Sequence, residues 1–193
     1  MKSLIDNARV FGQRPEAFAK LAGGQSPEVL FITCSDSRVV PALITGAGPG
    51  ELFELRTAGN IVPAYASTAP TGEAATIEYA VQVLGVQHIV VCGHSHCGAV
   101  GAVVRHEDLS AAPAVRNWLA HAADEPVCSD KTDPTVAEAV HHHVRTQLER
   151  LRSYPGIQRR LRAGQLALHG WYYEVHTGTV LAHRAESDTF ETL

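Results

Sequence analysis

Two short segments of the chain carry the side chains with the clearest chemistry. Cys34, Asp36 and Arg38 lie within one run of five residues, and His94 and Cys97 follow much later in the chain. Two thiolates and one imidazole are ligands that Zn²⁺ prefers, and three protein ligands leave one of its four tetrahedral positions open. An open position is typical of catalytic zinc, whereas structural zinc is closed by a fourth protein ligand. The pattern therefore predicts a zinc enzyme that acts through a bound water.

Asp36 and Arg38 supply what such a site needs beside its ligands. Two thiolates cancel the charge of the ion, so the bound water is acidified less than it would be by three neutral imidazoles. The Asp36 carboxylate can accept a hydrogen bond from that water. Arg38 can keep the carboxylate ionised and correctly oriented through a bidentate pair. We therefore expect the two residues to act together in catalysis.

The same residues also allow interpretations without catalysis. Cys34 and Cys97 could be buried residues at strand ends, with Asp36 and Arg38 forming a surface ion pair, because one His-x-x-Cys pair is not diagnostic by itself. A closed structural zinc would need a fourth ligand, for which His96 is the nearby candidate. The spacing favours the open zinc site over both alternatives.

The elements that would position these residues alternate between strands and helices. Continuous apolar runs predict buried strands at 28–34, 52–57 and 88–92. Helical spacing or proline in the first turn predicts helices at 39–45, 73–84, from 98 onward, 113–122 and 134–151. Two further strands are predicted at 166–175 and 179–184, joined by a hairpin turn at 176–178.

This alternation predicts an α/β fold with a mainly parallel central sheet flanked by helices. The C-terminal hairpin would add an antiparallel edge strand, and a rough apolar stripe predicts an N-terminal helical arm that Pro15 interrupts. In such sheets ligands bind beyond the carboxyl ends of the strands. Cys34 and His94 each fall at the end of a predicted strand, so the fold would bring them together.

Composition restricts the class of protein further. The 193 residues are 45% hydrophobic and 19% charged, which is typical of one globular domain over 1–193. A net charge of −4 argues against nucleic acid or an anionic membrane as partner. The segment Met1–Asn7 meets charge too early for a signal peptide, and the apolar runs are too short to span a bilayer.

The four cysteines indicate a reducing compartment, so we expect a cytoplasmic protein without disulfides. Cys92 lies inside an apolar strand and is expected to be a small buried hydrophobe. Cys128 is assigned no role. Trp118 and Trp171 are expected to be core or interface aromatics.

Two longer motifs identify a resemblance to a known family. Cys-Ser-Asp-Ser-Arg at 34–38, followed by Gly-His-Ser-x-Cys-Gly at 93–98, resembles the signature of the β-class carbonic anhydrases. The resemblance covers nearly the whole chain beyond the N-terminal helix and extends through segments at 24–27, 50–53, 56–60, 78–81 and 169–173. It implies reversible hydration of carbon dioxide to bicarbonate and a proton by a zinc-bound hydroxide. It also implies one Zn²⁺ per subunit on Cys34, His94 and Cys97, with Asp36 and Arg38 as a paired dyad.

The resemblance further implies which residues meet the substrate. Gln25 matches an amide that hydrogen-bonds substrate from across a dimer interface. Phe53, Ala58 and Tyr79 match residues that line a small apolar pocket for carbon dioxide. Gly98 matches a glycine whose backbone faces that pocket.

The implied assembly is an obligate homodimer that can pair into a dimer of dimers, with residues 1–22 as an arm packed on the partner. Thr57 departs from the family, which usually carries asparagine there, and this leaves the local hydrogen bonding open. Phe31 stands where members that bind bicarbonate at a second site carry tryptophan, although Arg56 and Tyr173 match the arginine and tyrosine of that site and could hold bicarbonate by themselves. We therefore predict that Asp36 stays bound to Arg38 at neutral pH instead of moving to the zinc.

Two other functions remain open from the sequence. Hydrolases of carbonyl sulfide or carbon disulfide resemble the same family and share its metal ligands. A non-catalytic zinc-thiolate redox sensor is the second, although it would have no use for Asp36 and Arg38. The run His141–His143 is interpreted as a solvated helix face, since consecutive helical residues point about 100° apart and cannot chelate one ion well. His96 is a candidate proton relay because it flanks the predicted metal ligands and an imidazole can both accept and donate a proton.

Overall fold

The architecture is taken from a computed structural model that describes residues 1–13, 18–122 and 132–193. One sheet has the strand order β2-β1-β3-β4-β5-β6. Its strands are β1 (Val29–Cys34), β2 (Leu52–Thr57), β3 (His88–His94), β4 (Ala167–Tyr173), β5 (Val180–Arg184) and β6 (Thr189–Thr192). The first four strands run parallel, and the β4-β5 and β5-β6 pairs are antiparallel. The predicted α/β class with a mainly parallel sheet is confirmed.

Helices connect these strands and flank the sheet. They are α1 (Lys2–Phe11), α2 (Pro41–Thr45), α3 (Gly72–Glu78), α4 (Gly98–Arg105), α5 (Pro113–Leu119), α6 (Ala137–Ser153) and α7 (Pro155–Arg162). Helix α3 continues as a π-helical segment over Tyr79–Leu84, and Ala58–Asn60 forms a 3₁₀ turn after β2. No helix within the described residues is both long enough and apolar enough to cross a membrane.

The C-terminal part of the sheet differs from the prediction. The strand predicted at 179–184 is β5, but β6 pairs along its outer side and becomes the edge strand. Strand β6 was missed because it is only four residues long and mostly exposed, so it shows no apolar alternation. Helix α7 was also missed. Pro15 and Cys128 lie outside the described residues.

Helix α6 begins later than predicted. We expected it to open at Pro134, but its first residue is Ala137. The Asp133 carboxylate accepts hydrogen bonds from the backbone N–H groups of Thr135 at 2.8 Å and of Ala137 at 3.2 Å. Such local side-chain bonds offer the backbone an alternative to the helix, and Val136 adopts a left-handed φ of 47°. The turn therefore replaces the expected first helical turn.

The main core lies between the sheet and the helices α3, α4, α6 and α7. Helix α6 packs directly on β3, because Gly93 in that strand carries no side chain. A Cβ built on Gly93 would overlap Cγ1 of Val140 and lie 2.8 Å from Cγ2 of Val144. This close approach places α6 beside the end of β3, where His94 follows.

The opposite sheet face has a smaller core of Phe31, Val90 and Cys92. The Trp171 ring packs edge-on against Phe31, with ring centroids 5.8 Å apart. Cys92 is fully buried, and burial raises the pKa of its thiol to about 12. Cys92 is thus a buried hydrophobe, as predicted.

Helix α1 has no buried residue in the single chain. Its large apolar side chains are exposed, with Leu4 64% and Phe11 62% accessible to solvent. The described residues of the chain thus leave the apolar side chains of this helix uncovered.

Candidate metal centre

The three predicted ligands meet at the carboxyl ends of two neighbouring parallel strands. Cys34 is the last residue of β1 and His94 the last residue of β3. A short turn then brings Cys97 to the position that precedes α4. The ligand atoms of the three residues all lie within 4.8 Å of one another, and all three residues are buried. Among the described residues this is the group of cysteine, histidine or carboxylate side chains close enough to hold a metal ion.

The His94 ring is prepared to donate a lone pair. Its Nδ1 lies 2.9 Å from the carbonyl oxygen of Ser95. A carbonyl only accepts, so Nδ1 carries the proton and Nε2 is left as an acceptor. Nε2 is buried and has no hydrogen-bond partner among the described residues. Buried polar atoms are almost always paired, so an unpaired imidazole nitrogen beside two sulfurs fits a metal ligand.

The two thiols share a proton unequally. The pKa of Cys34 is lowered, first by a hydrogen bond from Cys97 and to a smaller extent by the Gly59 N–H, while burial opposes the shift. The pKa of Cys97 is raised, because it donates to Cys34 and is buried. The Gly59 nitrogen lies 3.4 Å from the Cys34 sulfur. The site thus favours a thiolate at Cys34, which is the form that binds metal.

Asp36 and Arg38 form a bidentate pair at the edge of the site. Arg38 donates from Nε to Oδ1 of Asp36 at 2.9 Å and from Nη2 to Oδ2 at 2.7 Å. The Arg38 backbone N–H also donates to Oδ1 at 2.9 Å. These bonds hold the pKa of Asp36 well below its usual range. Oδ2 lies 3.9 Å from Nε2 of His94, so an ionised, oriented carboxylate faces the ligands.

Arg56 supports the loop that carries this pair, a role that sequence reasoning missed. Its guanidinium lies within hydrogen-bond distance of the carbonyl oxygens of Cys34 at 3.0 Å, Asp36 at 2.9 Å and Val39 at 2.7 Å. The sequence feature that could have indicated this role is a cationic residue inside a predicted strand, since arginine is rarely buried without partners. Arg56 therefore fixes the backbone between the first ligand and α2.

Ala58 and Gly98, two of the predicted substrate residues, lie at the end of the sheet that carries Cys34 and His94. Ala58 directly follows Thr57, which pairs in register with Cys34. Gly98 is the first residue of α4. The Trp118 indole N–H donates to the Ala58 carbonyl at 2.8 Å, so this aromatic also forms a specific bond. The Thr57 hydroxyl is buried and has no partner among the described residues.

The other predicted substrate residues lie at the far end of the sheet. Gln25 precedes β1, whereas Cys34 ends it, and a strand of six residues spans about 20 Å. Phe53 pairs with Leu30 near the start of β1, and its ring lies 6.0 Å from that of Tyr79. A single chain therefore does not bring Gln25, Phe53 and Tyr79 to its own metal centre.

The interpretation of His141–His143 as a solvated face is wrong. His143 is only 6% exposed, and its Nε2 lies 2.7 Å from the carbonyl oxygen of Gly59. The His141 ring stacks on Phe190, with centroids 4.0 Å apart. Helix α6 packs on β3 and β4, while its other side meets the Ala58–Asn60 turn. Side chains on more than one face are thus covered, which periodicity alone did not reveal.

The structure combines an α/β fold with a buried Cys-His-Cys group that could hold a metal ion at the ends of its parallel strands. The family model for carbonic anhydrase matches residues 29–180. A carbonic anhydrase from Pseudomonas aeruginosa is 44% identical over 203 residues, which cover 100% of this chain and 92% of that protein. One from Synechococcus elongatus is 44% identical over 201 residues, which cover 97% and 74% of the two chains.

Solved structures agree with these relatives. The β-carbonic anhydrase CcaA superposes with a TM-score of 0.90 at 39% identity, covering 100% of this chain and 99% of that one. A structure described among two tetrameric β-carbonic anhydrases of Sordaria macrospora gives a TM-score of 0.76 at 32% identity, with 94% of each chain covered. The chain therefore belongs to the β-carbonic anhydrase family.

Proposed function

We propose that the protein catalyses the reversible hydration of carbon dioxide, with one Zn²⁺ per subunit held by Cys34, His94 and Cys97. One observation carries the proposal: the unpaired Nε2 of His94 is buried beside two sulfurs and lies 3.9 Å from an ionised carboxylate of Asp36. This donor set suits zinc and leaves one tetrahedral position open. Membership of the family supports the same activity.

Zinc, when bound, supplies a water of lowered pKa as the nucleophile. The protein's own contribution is to orient that water. Oδ1 of Asp36 accepts two N–H groups of Arg38, whereas Oδ2 accepts one. A carboxylate has about four lone-pair sites, so Oδ2 can accept a further hydrogen bond from the water. Because Arg38 keeps Asp36 ionised, the carboxylate can act only as an acceptor. The water must then donate an O–H group to Asp36, which leaves a lone pair of the water oxygen facing away from the carboxylate.

A second subunit would complete the substrate pocket. Gln25, Phe53 and Tyr79 lie at the far end of the sheet, so a role for them at a metal centre requires another copy of the chain. The exposed apolar side chains of α1 support an arm of residues 1–22 that packs on this copy. We therefore propose a homodimer, and pairing of dimers is consistent with the tetrameric relatives from Sordaria macrospora. Cytoplasmic location stays a prediction from cysteine usage.

Metal analysis combined with stopped-flow hydration of carbon dioxide tests the proposal. We expect one zinc per chain and rapid hydration. The variant Asp36→Asn should keep its zinc and lose most of the activity, because a neutral amide is a weaker hydrogen-bond acceptor for the water than an ionised carboxylate. A preparation without zinc at full activity would refute the ligand assignment. Hydrolysis of carbonyl sulfide without hydration of carbon dioxide would assign the alternative substrate instead.

A further inference from the structure

A buried hydrogen-bond chain runs from α6 to the metal ligand Cys34. It begins at Gln147, which is fully buried and accepts the Val62 N–H through Oε1 at 2.8 Å. Since Oε1 is the acceptor, the other end of this amide is a donor. That Nε2 lies 3.4 Å from Nδ1 of His143, which must therefore accept.

The direction of this chain determines the tautomer of His143. With Nδ1 accepting, the ring proton resides on Nε2, which donates to the Gly59 carbonyl at 2.7 Å. Burial lowers the pKa of His143 to about 4, so the ring is neutral near pH 7. Oε1 and Nε2 of Gln147 and both ring nitrogens of His143 each have a partner, and a buried network of this kind holds its members in place.

The turn that receives this bond is held from two sides. The peptide that joins Ala58 to Gly59 presents its carbonyl to Trp118 and its N–H to the Cys34 sulfur. In a trans peptide these two groups point in opposite directions, so the indole aims the N–H at the sulfur. His143 holds the next peptide through the Gly59 carbonyl. Gly59 itself adopts a φ of 77°, which disfavours any other residue there.

We propose that His143 and Trp118 are positioning residues of the metal centre, which hold the Gly59 N–H on the Cys34 sulfur and thereby set how strongly that thiolate donates charge to the metal. The inference rests on the proposed zinc site. A hydrogen bond to sulfur withdraws charge from the thiolate. Such withdrawal offsets the weak acidification of water expected from a site with two thiolates. Each residue places its hydrogen bond on the Ala58–Asn60 turn, so both act on Cys34 through that turn.

Four variants separate this role from simple packing. His143→Leu removes the donor at similar volume, and Trp118→Phe keeps an aromatic ring without the N–H. His143→Gln places an amide N–H near the position of Nε2 and serves as the conservative control. Val144→Ala weakens the packing of α6 on β3 without changing the bonds to the turn.

The cobalt-substituted protein provides a readout that does not depend on turnover. In His143→Leu and Trp118→Phe we expect the sulfur-to-cobalt charge-transfer band to move to longer wavelength, because the thiolate is richer in charge. In the zinc protein the midpoint of the pH profile of kcat/KM should move to higher pH. His143→Gln should match the wild type, and Val144→Ala should lower only the melting temperature.

The inference is overturned if the band and the pH midpoint are unchanged in folded Trp118→Phe and His143→Leu. Should His143→Leu fail to fold, Trp118→Phe decides on the same readouts. Failure of the proposed function looks different: the wild type would then bind cobalt without hydrating carbon dioxide, or bind no metal at the sulfurs. In the former case the band still tests the positioning of Cys34.

Discussion

The variant Gly93→Ala tests whether the close contact between β3 and α6 limits stability. The added methyl would overlap Cγ1 of Val140 and lie 2.8 Å from Cγ2 of Val144. Ordinary contacts between carbon atoms are about 3.5–4.0 Å, so a gap of roughly 1 Å must be opened. Valine in a helix has one strongly preferred rotamer, so the side chains cannot turn aside easily. We therefore expect the helix itself to shift.

The expected cost follows from this geometry. Inserting a methyl group into a well-packed core costs about 1–3 kcal/mol. For a chain of this length each kcal/mol lowers the melting temperature by about 2–4 °C. Gly93→Ala should therefore melt about 2–12 °C below the wild type. Scanning calorimetry of the zinc-loaded proteins measures the difference.

A matched glycine and a double variant complete the test. Gly72 is the first residue of α3, and a Cβ added there meets no atom within 4 Å. Gly72→Ala should therefore leave the stability of the protein unchanged or raise it by up to about 1 kcal/mol. Trimming Val140 to Ala makes room for the new methyl. The double variant Gly93→Ala/Val140→Ala should therefore be more stable than the sum of the single losses by about 0.5–3 kcal/mol. The reasoning would be refuted if Gly93→Ala melted at the wild-type temperature, or if the stability loss of the double variant equalled the sum of the two single losses.

Three further predictions concern the site. Cys97→Ser should lose zinc and hydration together, because a neutral hydroxyl replaces a thiolate poorly; full zinc occupancy with normal hydration would contradict this. The Asp36 carboxyl, followed by NMR, should stay ionised below its ordinary pKa of 3.8, and Arg38→Gln should raise that pKa. The stabilisation from this pair is therefore complete above about pH 4 and is lost as pH falls towards the lowered folded-state pKa. Light scattering should show a dimer or a pair of dimers, and Gln25→Ala should impair hydration while leaving zinc bound; an active monomer would exclude the shared site.

The placement of the ligands could be predicted from local patterns. Each of Cys34 and His94 ends an apolar run, and such runs form the buried strands of a parallel sheet. Their carboxyl ends meet at one edge by the rules of the fold, so the two ligands had to lie close together. Cys97 follows His94 by three residues, which one turn can bridge. Short sequence separation and a regular sheet made these positions predictable.

Other elements could not be read from periodicity because competing local bonds or distant contacts decide them. The Asp133 carboxylate delays the start of α6, and this depends on side-chain geometry more than on apolar spacing. Strand β6 forms because β5 offers it a free edge, although its own four residues carry little signal. The run His141–His143 is covered on several sides by elements far away in sequence.

Residue type and order define the chemical groups at the site: two thiolates, one imidazole and a carboxylate with its guanidinium partner, placed at strand ends. The electronic environment of these groups depends on the folded chain. The protonation of His94 depends on the Ser95 carbonyl, and the bond to Cys34 depends on a turn held by Trp118 and His143. Which atom donates and which accepts in each hydrogen bond depends on how the backbone groups are oriented once the elements have packed. Residue type and spacing do not predict this orientation.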